Sequence, residues 1–252
     1  SDKYAELFKR LIYLYESYYR GPITSTRREL GPWGFDADFY LYRMMPAWDL
    51  VEESPVFSGE DRLKITNIFV EFVRHVPPCT WLVYKKEGEP SWRIREVYRV
   101  RQNHQTFAAL GLTYAGTYFS KYYPDFKEVE FWLELADKVF YGQIGAFKPI
   151  ENSNGYQWFT LYHTMRYSLV KGDHRYFESG NARKSADLAI ICMDNLGYQV
   201  PFGDNEPFYG SLSDLPVLKC AAYYYREVRY AYSTPTKTVS NSSGMHGGIN
   251  IC

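Results

Sequence analysis

The chain has 252 residues, 46% apolar and 23% charged, enough for one large core or two modest ones. No run of about 18 apolar residues marks a membrane span. With 29 basic and 29 acidic residues, no net charge draws the chain to nucleic acid or an anionic membrane surface.

Helical periodicity dominates from the start. Residues Tyr4, Leu7, Phe8, Leu11, Ile12, Leu14 and Tyr15 form a broad apolar stripe, and Gly21-Pro22 ends that helix. A Gly/Pro-rich turn, "LGPWGFDAD", leads to a helix over "FYLYRMMPAWDLVEE", with Pro46 as a kink or break. Ser58 and Asp61 fit a capping box opening a helix through about Val76, where "VPP" stops it. Residues 77–100 are the least helical, with "EGEP" between β-prone runs as a short hairpin or ordered loop of the kind that often borders a binding site. Further helices follow over about 101–121, 125–141 with Pro124 in its first turn, 153–171, 173–196 and 211–231.

These eight helices, joined by short connections, predict an all-α fold: an array of α-hairpins closing toward a compact or incomplete α/α toroid over 1–232. The remainder, 233–252, reads as a Ser/Thr/Gly-rich tail, a loop or a linker to a further domain. Within it Asn241-Ser242-Ser243 matches a glycosylation acceptor. Cys79, Cys192, Cys220 and Cys252 have neither metal-type spacing nor a Cys-x-x-Cys. No phosphate loop, HExxH or Gly-x-Ser-x-Gly is present, and neither a metal nor a cofactor is expected. The beginning of the chain lacks a signal-peptide pattern, as a mature or trimmed protein would.

The 25 Tyr, 16 Phe and 6 Trp suit a sugar-binding cleft, where rings stack and hydroxyls bond, or equally a tyrosine-rich helical core. Two polar pairs stand out against these helices. "RQNHQTFAAL" puts Asn103 and His104 at a helix start, with His104, Ala108, Gly111 and Ala115 on one face whose small residues admit a close neighbour. A helix cap followed by a core histidine would look the same. "PIENSNGYQWFTLYHTMRY" puts Tyr162 and Arg166 at i and i+4, with His163 beside them. An aromatic core helix is the plain alternative there, but it does not explain an arginine and two histidine-bearing pairs together.

The "NH" pair, followed one hairpin later by a polar turn with Glu151 and then "YH", resembles the α/α-toroid polysaccharide lyases: the alginate, heparinase II/III-like and glucuronan lyases. "KGDHRYFESGNARKSADLA" and "PFGD" are similar to that superfamily's hairpins, and the likeness is best over about 95–205. The resemblance implies β-elimination on an anionic uronic-acid polysaccharide, in a periplasmic or secreted setting. Asn103 would bond the uronate carboxylate, with Arg166 or His163 adding positive charge. His104 would be the base and Tyr162 the acid, or Tyr162 both; Tyr156 is the acid if the helix is aligned differently. Arg101, Glu151, Tyr156 and Trp158 would bind substrate.

Family members commonly carry a larger toroid and a β-sandwich, so the chain reads as a compact member or a piece of a longer one, with His246 a late cleft candidate. The rivals are an α/α-toroid glycoside hydrolase using carboxylates such as Asp36, Asp38, Asp49, Asp173 or Asp204, and a non-catalytic carbohydrate-binding module.

Overall fold

The structure, a computed structural model, describes residues 2–20, 37–96, 99–195, 198–203 and 216–232. The Gly21-Pro22 stop, the turn up to Asp36, Asp204, Asn241, His246, Cys252 and the whole 233–252 tail lie outside the described residues. The described chain is mostly helical. The residues group into two compact units: Ser1–Val100 with His104–Gly142, and Arg101–Asn103 with Gln143–Cys252.

The first unit begins with α1 (Asp2–Arg20), α2 (Ala37–Val51) and α3 (Gly59–Cys79). Its core is aromatic. Trp48 of α2 is fully buried, stacks on Phe8 (ring centroids 5.7 Å apart) and meets Phe57 edge-on at 5.0 Å. Its indole N–H donates to the Tyr118 hydroxyl (3.0 Å), which in turn donates to the Glu52 carboxylate. That chain satisfies the polar ends of both buried rings. The capping box at α3 is present, with Ser58 Oγ accepting from Asp61 N–H and the Asp61 carboxylate accepting from Ser58 N–H. Lys9 and Tyr13 of α1 donate to the same carboxylate, both at 2.7 Å, so one acidic side chain ties α1 to α3.

The stop expected at "VPP" is not where the helix ends: α3 runs through Pro77 and Pro78 to Cys79, while Pro46 sits inside α2 without breaking it. The turn after α3 stays bonded because Thr80 N–H and Thr80 Oγ both donate to the Val76 carbonyl, and Leu82 N–H donates to Pro77 O. These bonds satisfy carbonyls that a helix end leaves open. The 77–100 segment holds the hairpin, β1 (Val83–Tyr84) antiparallel to β2 (Arg93–Ile94), with Val83 opposite Ile94.

α4 (Asn103–Tyr122) follows, then α5 (Glu128–Ile144), which starts later than Pro124 suggested because 123–127 form a separate turn. Gly111 makes the close approach of α4 to α2 possible: a Cβ there would lie 2.9 Å from Leu41 Cγ and Cδ2.

In the second unit, α6 (Tyr156–Lys171) packs on α7 (Arg175–Glu178), α8 (Asn181–Ile191) and α9 (Pro216–Tyr225), and α9 on α10 (Val228–Tyr232). The single helix expected over 173–196 is broken at Gly180, which takes φ +80°. The one expected over 211–231 is broken at Arg226, a non-glycine residue at φ +56°. Residues 211–215 lie outside the described residues. Among the described residues, no helix is long and apolar enough to cross a membrane.

Candidate functional site

Eight of the nine residues singled out in the sequence belong to the second unit: Arg101, Asn103, Glu151, Tyr156, Trp158, Tyr162, His163 and Arg166. The frame that holds them is the turn at 150–155. Asn154, fully buried, donates its backbone N–H to Phe202 O (3.1 Å) and its side-chain N–H to the carbonyls of Val200 and Cys192. Behind the turn, Gly203 at φ +69° passes so close to the Asn152 carbonyl that a Cβ would sit 1.9 Å from it. Phe202 and Gly203 therefore brace the turn that launches α6. Asn154 is a site-building residue that sequence reading missed. Its only signal was the polar run "NSNG", which any surface turn shares.

Glu151 holds Asn103 in place. Its carboxylate accepts from the backbone N–H of Asn103 (3.0 Å, Oε2) and from Asn103 Nδ2 (3.1 Å, Oε1). The two contacts fix both the backbone and the side-chain orientation of Asn103, which is itself 4% exposed. Asn103 is the first residue of α4, and its orphan N–H is capped by this carboxylate. The placement also puts a negative group beside the Asn103 amide.

α6 has two distinct faces. Gln157, Thr160, His163, Thr164 and Ser168 are fully buried, while Tyr156, Phe159 and Val170 are exposed and Tyr162 and Arg166 half-buried. The accessible side is thus an aromatic strip running from Tyr156 through Phe159 to Tyr162, closed by Arg166. Arg166 Nη1 donates to the Tyr162 hydroxyl oxygen at 2.9 Å, with its guanidinium 5.7 Å from the ring centroid. His163 has its ring 5.6 Å from Tyr162 and 6.3 Å from Phe159. Buried as it is, it backs the strip, and the Arg166 guanidinium reaches the phenol. Arg101 is exposed.

Trp158, expected to bind substrate, is 4% exposed, and its indole N–H donates to Asn154 Oδ1 at 3.0 Å. One position away, Phe159 offers the exposed ring instead. A single-residue step on a helix turns a side chain by about 100°, and the sequence alone left the phase of α6 open between these two.

His104 lies in the first unit. Its Nδ1 is 2.8 Å from Oδ2 of Asp38, which is fully buried in the first turn of α2. The ring packs edge-on against Phe39 at 4.8 Å and near Phe107 at 6.5 Å. Burial pushes the Asp38 carboxyl above its ordinary range, and the hydrogen bond and charge of His104 oppose that. On α3, Cys79 Sγ lies 3.1 Å from His75 Nε2, and its thiol is pushed up to about 12, first by burial and then by Asp38. Burial thus favours the neutral thiol of Cys79 over its thiolate. Among the described residues, no three His, Cys, Asp or Glu side chains are grouped to hold a metal ion.

Comparisons with protein-family models, with curated proteins and with solved structures find no match for the chain.

Proposed function

We propose that the protein is a polysaccharide lyase that cleaves a uronic-acid-containing chain by β-elimination. The observation that carries this reading is the Arg166 N–H donated to the Tyr162 oxygen on the accessible face of α6. A cationic donor at a phenol oxygen favours the phenolate, which a tyrosine needs if it is to act as a base near neutral pH. The C5 proton of a uronate is removable once charge on the adjacent carboxylate is offset and the developing enolate is stabilised. In this scheme the C5–H bond breaks toward the base and its electron pair passes into the carboxylate as an enolate; the pair then forms the C4–C5 double bond as the C4–O bond breaks, and the leaving glycosidic oxygen takes a proton from Tyr162.

Asn103, clamped by Glu151, is assigned to the substrate carboxylate, and the Tyr156–Phe159 strip to sugar-ring faces. The C5 proton is assigned to Tyr162, acting twice; His104, expected as the base, belongs to the other unit. The finer fold, an α/α toroid, and a periplasmic or secreted setting belong to the same proposal, and the successive packed helices support the first.

Incubation with alginate, glucuronan, heparan and chondroitin tests the reading, because elimination creates a conjugated double bond that absorbs in the ultraviolet and hydrolysis does not. Tyr162→Phe should abolish turnover while substrate still binds; a binding module has no turnover to lose. His104→Ala should leave turnover in place, the C5 proton being assigned to Tyr162.

A further inference from the structure

The hairpin of the first unit is anchored at its base and exposed beyond it. Leu82 and Val83, neighbours that point to opposite faces of the ladder, are both buried. Further out, Tyr84 stands opposite Arg93 on one face and is 39% exposed. Trp92 lies on the other face, with Ile94 and Val83, and is 45% exposed, so neither ring belongs to the core. Each ring carries a cation. The Lys85 ammonium lies 4.9 Å from the Trp92 centroid, and the Arg95 guanidinium 5.3 Å from that of Tyr84. Nearby charges pair with one another: Arg93 donates to both carboxylate oxygens of Glu89 at 2.6 Å, and Lys138 meets Glu96 at 3.5 Å. At the base, Trp81 is 42% exposed although its backbone takes φ +57°, a conformation that glycine or asparagine adopts with less strain.

We propose that this hairpin is a further binding site, for an anionic polysaccharide, with Lys85–Trp92 and Arg95–Tyr84 as its two points of contact. A sugar presents a face of C–H groups that stacks on an indole or a phenol, and a carboxylate on the same sugar meets the cation held beside that ring. One such pair on each face of a projecting hairpin suits a flexible chain in solution, which bends around it. A flat bilayer reaches one side only, and an anionic one would meet the exposed Glu87 and half-buried Glu89 at the tip. Nucleic acid is disfavoured by the charge balance. Lys85, Lys86, Arg93 and Arg95 are set against Glu87, Glu89 and Glu96, and closely spaced phosphates require a larger excess of cations. The site stands on the first unit alone and does not rest on elimination at α6.

The test is NMR titration of the full chain, carrying Tyr162→Phe wherever the polymer is cleaved. The Trp92 indole N–H resonance, assigned by its loss in Trp92→Phe, should shift saturably with alginate or glucuronan and not with a neutral β-glucan. The binding should weaken as salt is raised. Lys85→Gln combined with Arg95→Gln, both at exposed positions, should lower the affinity about tenfold with thermal stability nearly unchanged. That double variant decides the same point by affinity alone if Trp92→Phe does not fold. No shift with either polyuronate, an equal shift with the neutral polymer, or an unchanged affinity in the double variant would overturn the proposal. So would a shift produced only by single-stranded DNA or only by phosphatidylglycerol vesicles, either of which would give the hairpin a different partner. Binding at Trp92 without unsaturated product from any polyuronate would sink the lyase reading and leave this site standing. Unsaturated product with no shift at Trp92 would do the reverse.

Discussion

Removing the Glu151 carboxylate probes the site at the point where two sequence-distant segments are joined. Glu151→Ala deletes both hydrogen bonds to Asn103, one to its backbone N–H and one to Nδ2. Hydrogen bonds to a charged group contribute about 1.5–3 kcal/mol each. Glu151 is half-buried, so water replaces part of what is lost, and the total expected is about 2–3 kcal/mol. Glu151→Gln keeps one acceptor but turns an N–H toward a donor, and should cost roughly half as much. Asn103→Ala removes only the side-chain bond. A double-mutant cycle between positions 103 and 151 should therefore give a coupling of about 1–1.5 kcal/mol, the backbone bond persisting in the Asn103→Ala background. The assay is urea unfolding of the full chain with the m-value unchanged. A coupling near zero, or a Glu151→Ala loss below about 0.5 kcal/mol, would refute the clamp.

Further outcomes follow from other contacts. Hydrogen bonds from Lys9, Tyr13 and Ser58 hold the Asp61 carboxyl well below its ordinary range. Its folded-state value being depressed, its stabilisation is present above about pH 4 and is lost as pH falls; acid titration of stability should flatten in Asp61→Asn, and an unchanged acid limb would contradict this. Gly203→Ala places a Cβ 1.9 Å from the Asn152 carbonyl at φ +69°, and should destabilise by at least about 2 kcal/mol in thermal or urea unfolding. Arg166→Gln removes the positive charge beside Tyr162 but leaves an amide donor, and turnover on a cleaved polyuronate should fall about 10- to 100-fold; undiminished turnover would detach Arg166 from the chemistry.

What the sequence disclosed, and what it withheld, follows the range of the interactions. Ser58 and Asp61 are three residues apart, and their capping box was legible because its whole geometry is local. The Tyr162–Arg166 pair, one helical turn apart, was legible for the same reason. Prolines misled where neighbouring donors compensate, as Thr80 does after Pro77 and Pro78. The break at Arg226 carries no glycine or proline to announce it. Glu151 was noticed, but its role toward Asn103 depends on a contact between segments 48 residues apart. Asp38 was one aspartate among several, and only folding brings it to His104, 66 residues on. Trp158 and Phe159 could not be told apart without the phase of α6, which the packing of the second unit sets.

The central claim is elimination at a uronate. Its most direct measurement is the ultraviolet absorbance of the full-length protein with the polyuronate panel, wild type beside Tyr162→Phe. The account predicts a rise in absorbance on at least one polymer with wild type and none with Tyr162→Phe, which still binds that polymer. No rise on any of the four with wild-type protein, or full activity in Tyr162→Phe, would contradict it.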